Sequence, residues 1–338
     1  MQGYEAMKIF NTLYSFLFPI AKKWKGKKFF LPFEWLWRCK YRFQSVKMMP
    51  KIIADKNEDD IYIIINNRIG DILYYFSCLD ATLDKYPDKK FVIIGFKPYE
   101  KLLRAFQRDN RVRLKIVSDE EFYLKFFDSV IHGQLYDKAA SHNILTIFLD
   151  PRSYKVNLPP IHNQRKVLNL PENSPITYHG LKKEPVISIP NFEANKDKIV
   201  IINPYSNSMK TTMYLHEAVC EELTRRGYLV YTNVVGTQEV VRGSLPLRCD
   251  IYEFYSIMCE TPFIVSVRSG ILDFAAPSGI NMFVLYDNSK GRIYAPLEEW
   301  ECSGKIKNVL FNTKADVKEV IEQLSQFINE LKAEGRIS

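Results

Sequence analysis

The hydrophobic positions of this chain follow two different periods along most of its length. Short apolar runs are followed by stretches in which apolar residues recur at every third or fourth position. The first pattern is typical of buried strands and the second of amphipathic helices. A chain that alternates the two forms an open parallel sheet with helices on both faces. The sequence therefore predicts an α/β fold.

The first half of the chain contains one such series. We predict strands at residues 61–66, 91–95, 113–117 and 128–132, and helices at 71–85, 98–107 and 119–126. Residues 134–150 stay open, because the short run ILTIFL fits either a strand or a buried helix. Prolines then interrupt residues 151–192, which we predict to be loops between two domains.

The same pattern starts again at Ile199. We predict strands at 199–203, 228–234, 263–267, 281–286 and 307–311, and helices at 213–226, 252–260, 269–278 and 315–332. Two successive series of similar size indicate two Rossmann-like domains. We assign residues 52–190 to the first domain, residues 191–338 to the second, and residues 1–51 to a separate N-terminal segment.

Charge is distributed very unevenly along the chain. The net charge is +8, yet residues 1–51 alone hold eleven Lys or Arg against two Glu. The same segment holds Trp24, Trp35 and Trp37. Aromatic and basic residues together are typical of a segment that lies on an anionic membrane surface. Because the uncharged run at residues 9–21 is far shorter than the ~20 residues a span requires, we expect peripheral binding.

Two other interpretations of this N-terminal segment stay open. Its aromatic residues can pack against the first domain as a helical extension. RNA binding is less favoured, because residues 52–338 add no basic surplus that would continue a nucleic-acid track. We therefore expect a membrane partner and no nucleic acid.

Motifs for cofactors and metals are missing from the sequence. The six cysteines include no C-x-x-C pair, so we expect neither a zinc site nor a disulfide framework, and reduced thiols suit the cytoplasm. No G-x-G-x-x-G follows a predicted strand, and no P-loop or D-x-D triplet occurs. The expected cofactor set is empty, with no metal.

Three predicted turns carry candidate ligand-binding residues. The strand at 263–267 ends in a turn where Arg268 precedes the backbone N–H groups of Ser269 and Gly270, an arrangement suited to phosphate. Open parallel sheets bind ligands at the carboxyl ends of their strands, where all three turns fall. The other two turns contribute, after the first strand, Arg68, Gly70 and Asp71, and, after the strand at 199–203, Ser206, Ser208, Lys210 and Thr211.

In their order and spacing, these turns resemble the heptosyltransferase-like glycosyltransferases of family nine. That family has a Gly-Asp turn at the first helix, a Lys-bearing loop after the first strand of the second domain, and a late Asp-Ser-Gly-x-x-His-x-Ala-Ala motif. The matches here are Gly70-Asp71, Lys210, Ser269-Gly270 and Ala275-Ala276. The family's motif Asp is replaced by Arg268 and its His by Asp273.

The resemblance implies a GT-B fold, which is two Rossmann-like domains with a cleft between them. It also implies transfer of a sugar from a nucleotide-sugar donor, with Asp71 as the general base. An alternative for Asp71 is a helix N-terminal carboxylate stabilised by the helix dipole. We expect Arg68 to bind the acceptor or to close on the donor phosphate, and Asp273 to hold a donor sugar hydroxyl or to be a simple surface residue.

The sequence thus predicts a metal-independent, inverting glycosyltransferase of the hexosyl or heptosyl type. We expect its donor site to contain Ser206, Ser208, Lys210, Thr211, Arg268, Ser269, Gly270 and Asp273. Its acceptor would be a lipid-linked or surface glycan, as in lipopolysaccharide or capsule synthesis, at the cytoplasmic face of a membrane. A polysaccharide pyruvyltransferase-like enzyme and a non-catalytic scaffold subunit of the same fold stay open.

Overall fold

In the computed structural model the chain divides into two compact units. The first contains residues 1–67, 88–100 and 109–148, and the second contains residues 68–87, 101–108 and 149–338. The domain boundaries inferred from the sequence, at residues 51 and 190, stay a prediction. The structure describes residues 31–53, 57, 59–65, 69–107, 109–132, 144–147, 160–178, 181–206, 213–287, 303–311 and 316–338.

Helices and strands alternate in the first half of the chain. They are α1 (Leu31–Ile52), β1 (Asp60–Ile65), α2 (Ile69–Ser77), α3 (Leu79–Lys85), β2 (Lys90–Phe96), α4 (Glu100–Leu103), β3 (Val112–Val117), α5 (Glu120–His132) and β4 (Ile144–Ile147).

The second half continues the alternation. It contains α6 (Pro160–Val167), α7 (Phe192–Asn195), β5 (Ile199–Asn203), α8 (Met213–Arg225), β6 (Leu229–Asn233), β7 (Leu245–Leu247), α9 (Ile251–Glu260), β8 (Phe263–Val267), α10 (Gly270–Ala275), β9 (Asn281–Asp287), β10 (Ile306–Phe311) and α11 (Val317–Ala333).

The first unit is built on a parallel sheet with the strand order β3-β2-β1-β4. Every residue of β1 is buried, which explains why its sequence is a continuous apolar run after Asp60. Helices α1 and α5 contribute to the core on one face, where Ile52 and Tyr123 pack with Ile64 and Ile94. The hydroxyl of Tyr123 donates hydrogen bonds to the backbone carbonyls of Ile65 and Ile94.

The second unit is built on a parallel sheet with the strand order β10-β9-β8-β5-β6-β7. Helices α8 and α11 cover one face of it, and their apolar residues form one core with those of the strands. Phe327 of α11 packs edge-on against Phe263 of β8 and also contacts Phe283 of β9. The apolar face of α11 therefore packs on the second sheet.

Most predicted elements are confirmed, although the helix predicted at 71–85 is divided into α2 and α3, and the one predicted at 98–107 is α-helical only at Glu100–Leu103, between two 3₁₀ turns. One predicted strand is wrong. Residues 128–132 are not a strand, because α5 continues to His132. Its apolar residues keep a helical spacing to that end, and a run as short as Val130-Ile131 carries no strand signal of its own. The segment at 134–150, for which strand and helix were both left open, contains the strand β4. The predicted loop at 151–192 contains the helix α6 and ends at the first residue of α7. Strand β7 was missed, since it has three residues and a proline.

The N-terminal segment is described from Leu31 onward. Helix α1 ends in the core of the first unit, where Met48, Met49 and Ile52 pack near Phe126. This end of α1 agrees with the interpretation in which the segment extends the first domain. The uncharged run at residues 9–21 lies outside the described residues. None of the helices in the described parts of the chain has both the length and the apolar character needed to cross a bilayer.

Candidate functional site

A polar network occupies the carboxyl ends of three neighbouring strands of the second unit. Asn203, the last residue of β5, lies beside Ser266 of β8 in the sheet register. Its side-chain nitrogen is 2.9 Å from the hydroxyl of Ser266 and 3.1 Å from the hydroxyl of Ser269, to which it donates hydrogen bonds. Asn233, the last residue of β6, donates a hydrogen bond of 3.1 Å to the side-chain oxygen of Asn203.

The loop after β5 and the turn after β8 are joined to the same network by hydrogen bonds. The hydroxyl of Ser206 donates a hydrogen bond of 2.9 Å to the carbonyl of Arg268, which joins the loop after β5 to the turn after β8. The side-chain nitrogen of Asn203 also lies 3.3 Å from the carbonyl of Tyr205. Two of the three predicted turns, at 206 and at 268–270, therefore lie together, as expected for the carboxyl edge of a parallel sheet.

Arg268 and Asp273 form a buried ion pair next to this edge. The two terminal nitrogens of Arg268 donate to the two carboxylate oxygens of Asp273, at 2.7 and 3.0 Å. Arg268 is 6% exposed and Asp273 is 3% exposed. Burial by itself lowers the pKa of the Arg268 guanidinium, but the charge of Asp273 and the neighbouring Tyr74 outweigh it, so the pKa is raised. Arg268 therefore stays charged and is compensated by Asp273.

Tyr74 of α2 completes this ion pair. Its hydroxyl donates a hydrogen bond of 3.0 Å to Asp273 and accepts one of 3.1 Å from Arg268. The same guanidinium donates a further bond of 2.8 Å to the carbonyl of Ser269. Tyr74 is itself buried, at 5% exposure. We call these three side chains, Arg268, Asp273 and Tyr74, the Arg268 cluster.

Two glycines bring the starts of α2 and α10 into direct backbone contact. A β-carbon on Gly270 would lie 2.9 Å from the backbone nitrogen of Gly70. A β-carbon on Gly70 would lie 2.5 Å from a carboxylate oxygen of Asp273 and 3.2 Å from the α-carbon of Gly270. The distances of 2.5 and 2.9 Å are shorter than those that real β-carbons show, so only glycine fits at either position without a shift of the neighbouring atoms.

Helix α10 is shorter than the sequence predicted. The helix expected at 269–278 is an α-helix only from Gly270 to Ala275, followed by a 3₁₀ turn at Ala276–Ser278. Ser269 has an extended backbone, and its hydroxyl does not cap the helix. A helix of this length contributes little dipole, so phosphate binding here would depend on the surrounding polar groups.

The predicted site residues fall into two groups. Ser206, Arg268, Ser269, Gly270 and Asp273 lie together at the edge of the second sheet. Arg68, Ser208, Lys210 and Thr211 lie outside the described residues, and Asp71 is described as part of α2 without its side chain. The predicted donor contacts of Arg268 and Asp273 stay predictions, and their described hydrogen bonds are all made within the chain.

The sequence analysis did not single out Asn203, Asn233, Ser266 or Tyr74. A signal for the two asparagines was available, because the apolar runs IVIIN and LVYTN each end in Asn at the ligand-binding edge. Tyr74 had no such signal, since it lies within an apolar helix and is separated from Asp273 by 199 positions in the sequence. Among the residues that the structure describes, no group of three or more His, Cys, Asp or Glu is placed to hold a metal ion.

Comparison with known proteins was made by sequence and by structure. No family model matches the chain, and no curated protein matches its sequence. Among solved structures it is similar to the E. coli heptosyltransferase WaaC with ADP, at 12% identity over 80% of this chain and 99% of that one, with a TM-score of 0.51.

Two further solved structures are similar to the chain. One is the iron-containing dodecameric glycosyltransferase TibC from enterotoxigenic E. coli H10407, at 15% identity and a TM-score of 0.50, over 76% of this chain and 63% of TibC. The other is a putative UDP-N-acetylglucosamine 2-epimerase from Listeria monocytogenes, at 13% identity and a TM-score of 0.52, over 83% of this chain and 90% of that one. The chain thus spans under two thirds of the TibC chain.

These likenesses and the two parallel sheets confirm the predicted fold class. The chain is an α/β protein with two Rossmann-like sheets and a likeness to GT-B glycosyltransferases. The likeness to heptosyltransferases that the three turns indicated is confirmed at the level of structure. At sequence identities of 12–15%, the structural likeness shows the fold alone. The reaction has to be argued from the site.

Proposed function

We propose that this chain is a GT-B glycosyltransferase that transfers a hexosyl or heptosyl group from a nucleotide-sugar donor to a glycan. The observation that carries the proposal is the polar network of Asn203, Ser266 and Ser269 at the carboxyl edge of the second sheet. Ligands of open parallel sheets bind at this edge. Further support comes from two similar structures, the heptosyltransferase WaaC with ADP and a putative UDP-N-acetylglucosamine 2-epimerase.

The donor diphosphate is proposed to bind between two loops of the second unit. Lys210 supplies a positive charge, and Ser208 and Thr211 supply hydroxyl donors, as the sequence predicted. Ser206, also predicted as a donor-site residue, uses its hydroxyl proton on the carbonyl of Arg268 and contributes by joining the two loops. The backbone N–H groups of the turn at Ser269-Gly270 face the same ligand. Support for this arrangement comes from the hydrogen bond between Ser206 and the carbonyl of Arg268, which brings the two loops together.

Transfer is proposed to start when Asp71 takes the proton of an acceptor hydroxyl. The hydroxyl oxygen then forms a bond to the anomeric carbon of the donor sugar, while the bond from that carbon to the diphosphate oxygen breaks. The nucleoside diphosphate leaves with the electron pair, and Lys210 stabilises the negative charge it gains. Attack on the face opposite the leaving group inverts the anomeric configuration. Arg68 is proposed to bind the acceptor.

No divalent metal is required in this mechanism, because protein cations and hydrogen-bond donors take over its role at the diphosphate. That the reaction needs neither a cofactor nor a metal ion is part of the proposal. This is tested by adding EDTA to any binding or activity measurement.

The acceptor is proposed to be a lipid-linked or surface glycan of the lipopolysaccharide or capsule type. Support comes from the basic and aromatic composition of residues 1–51. In the described part of that segment, Phe43 is half exposed, and Lys47 and Lys51 are exposed. Such a segment would hold the enzyme peripherally at the cytoplasmic face of a membrane, where its acceptor is found.

Ligand-induced thermal stabilisation tests the donor class. The full chain is heated with ADP, GDP, UDP, CDP or their sugar conjugates, each with and without EDTA. A ligand at a hundred times its dissociation constant adds about 2.7 kcal/mol, which is easily detected. A selective shift that EDTA leaves unchanged supports a metal-independent nucleotide-sugar site. A flat panel contradicts the proposal and favours the scaffold interpretation.

Asp71→Asn tests the proposed base. We expect transfer to fall by about 10²–10⁴ while nucleotide binding is retained, because the amide cannot accept the proton. Asp84→Asn, an exposed position on α3, is the matched control and should transfer normally. Transfer of a pyruvyl group in place of a sugar, or a nucleotide-binding wild type without any transfer, would contradict the glycosyltransferase assignment.

A further inference from the structure

Arg268 and Asp273, which stand at two positions of the family's motif, form an ion pair with each other inside the protein. Each terminal nitrogen of Arg268 contacts one oxygen of Asp273, and both residues are more than nine-tenths buried. In a buried ion pair with this geometry, each charge compensates the other. Arg268 and Asp273, which stand in place of the motif's Asp and His, therefore form an ion pair. Its role is indicated by the backbone segments that it contacts.

On one side, the cluster holds the turn after β8. Arg268 donates a hydrogen bond of 2.8 Å to the carbonyl of Ser269, and its own carbonyl accepts one of 2.9 Å from Ser206. Ser269 is also bound by Asn203 through its hydroxyl. Both peptide carbonyls of this turn are thus oriented by side chains, which fixes the direction of the backbone at Gly270.

On the other side, the cluster holds the start of α2. Tyr74 exchanges hydrogen bonds with Arg268 and Asp273, and a carboxylate oxygen of Asp273 occupies the space where Gly70 would carry a β-carbon. Positions 71 and 74 are three residues apart on α2, so they are neighbours on the helix surface. A movement of Tyr74 relative to Arg268 would therefore move the helix turn that contains Asp71.

We propose that the Arg268 cluster sets the distance between the helix turn that carries Asp71 and the Ser269-Gly270 turn. Tyr74, Arg268 and Asp273 are positioning residues in this proposal, and they act on the reaction through these two backbone segments. The proposal rests on the glycosyltransferase function proposed above, and it adds a role for the two residues that differ from the family's motif. A misplacement of about 1 Å between a base and its reacting group can cost a factor of about 10² in rate.

Tyr74→Phe is the informative variant, because it removes only the hydroxyl and keeps the ring that fills the core. We expect kcat to fall at least about tenfold, while KM for the donor and the affinity for the nucleoside diphosphate stay within about twofold. Asp273→Asn, of nearly the same shape, leaves the Arg268 charge uncompensated, so we expect a larger loss of kcat.

Tyr123→Phe is the matched control. Tyr123 is also a buried tyrosine, in the first unit, and its hydroxyl donates to the backbone carbonyls of Ile65 and Ile94 and to no member of the Arg268 cluster. We expect it to lower the melting temperature as Tyr74→Phe does, with kcat unchanged. If both variants reduce kcat equally, or if neither does, the positioning role is wrong.

The failure of this inference and the failure of the proposed function give different results. A wild-type chain that neither binds a nucleotide nor transfers a sugar overturns the proposed function, and the positioning role with it. A wild-type chain that transfers, with a Tyr74→Phe variant of the same kcat, overturns the positioning role alone.

Discussion

Both terminal nitrogens of Arg268 donate hydrogen bonds to the carboxylate of Asp273, at 3.0 and 2.7 Å, and solvent reaches neither side chain appreciably. The two residues are five positions apart, across the turn that joins β8 to α10. A buried pair of this kind is costly to break, because the remaining charge loses its compensation while it stays buried.

Asp273→Ala should therefore destabilise the second unit by about 3–5 kcal/mol. Urea unfolding followed by circular dichroism measures the effect. The matched control is Glu322→Ala, which removes an exposed partner 3.8 Å from Lys318 and should change stability little. Equal effects of the two substitutions would show that the Arg268–Asp273 pair is not buried in solution.

Gly270→Ala should destabilise the chain by about 1–3 kcal/mol, because its methyl group would press on the backbone nitrogen of Gly70. It should also weaken nucleotide binding, since the Ser269-Gly270 turn would have to move. Gly335→Ala is the control, because Gly335 has a φ of +66° and open space around it. Its cost should be about 1 kcal/mol, from backbone conformation alone, without any change in nucleotide affinity.

Asn203→Asp should reduce nucleotide affinity at least about tenfold. The new carboxylate cannot donate to Ser266 and Ser269, and it adds a negative charge beside the proposed diphosphate site. Isothermal titration with the nucleoside diphosphate that stabilises the wild type checks this. Asn195→Asp, on α7, is the control and should bind normally. An unchanged affinity in Asn203→Asp would place the nucleotide elsewhere.

Neutralising the basic N-terminal segment should release the protein from anionic membranes. The variant replaces Lys22, Lys23, Lys25, Lys27 and Lys28 with Gln in the full chain, which leaves the packed end of α1 intact. Each lysine near such a surface contributes about 1 kcal/mol, so vesicle binding should fall by more than a hundredfold. Flotation with phosphatidylserine vesicles measures this, and undiminished binding would contradict the membrane proposal.

Cys78 should be unreactive in the folded protein. Burial raises the pKa of its thiol to about 11, against the opposing effects of its hydrogen bond with Ser77 and the charge of Arg165. At pH 8, below that pKa, the thiol stays protonated and is a poor nucleophile. A native titration with a thiol reagent should be the same for wild type and Cys78→Ser, and the two should differ by one thiol after denaturation. A native difference would show that Cys78 is accessible.

The strands of both sheets could be predicted because their signal is local. A buried parallel strand needs an apolar run, and β1, β5 and β8 each supply one. The prediction failed where local patterns fit more than one structure, as in the segment at 128–132, which continues α5. Strand β7 was missed for the opposite reason, because its three residues are too few to show any period.

The sequence by itself determined the α/β class, the alternation of strands and helices, and the turn at 268–270, because each depends on residues close together in the chain. Only the tertiary structure decided that Arg268 is paired with Asp273 and Tyr74, and that Gly70 meets Gly270. The Arg268–Asp273 pair spans only five positions, but the contacts with Tyr74 and Gly70 join segments about 200 positions apart, as the separation of 199 between Tyr74 and Asp273 shows. No local pattern encodes such a contact, because it depends on how whole elements pack and which charges are buried together.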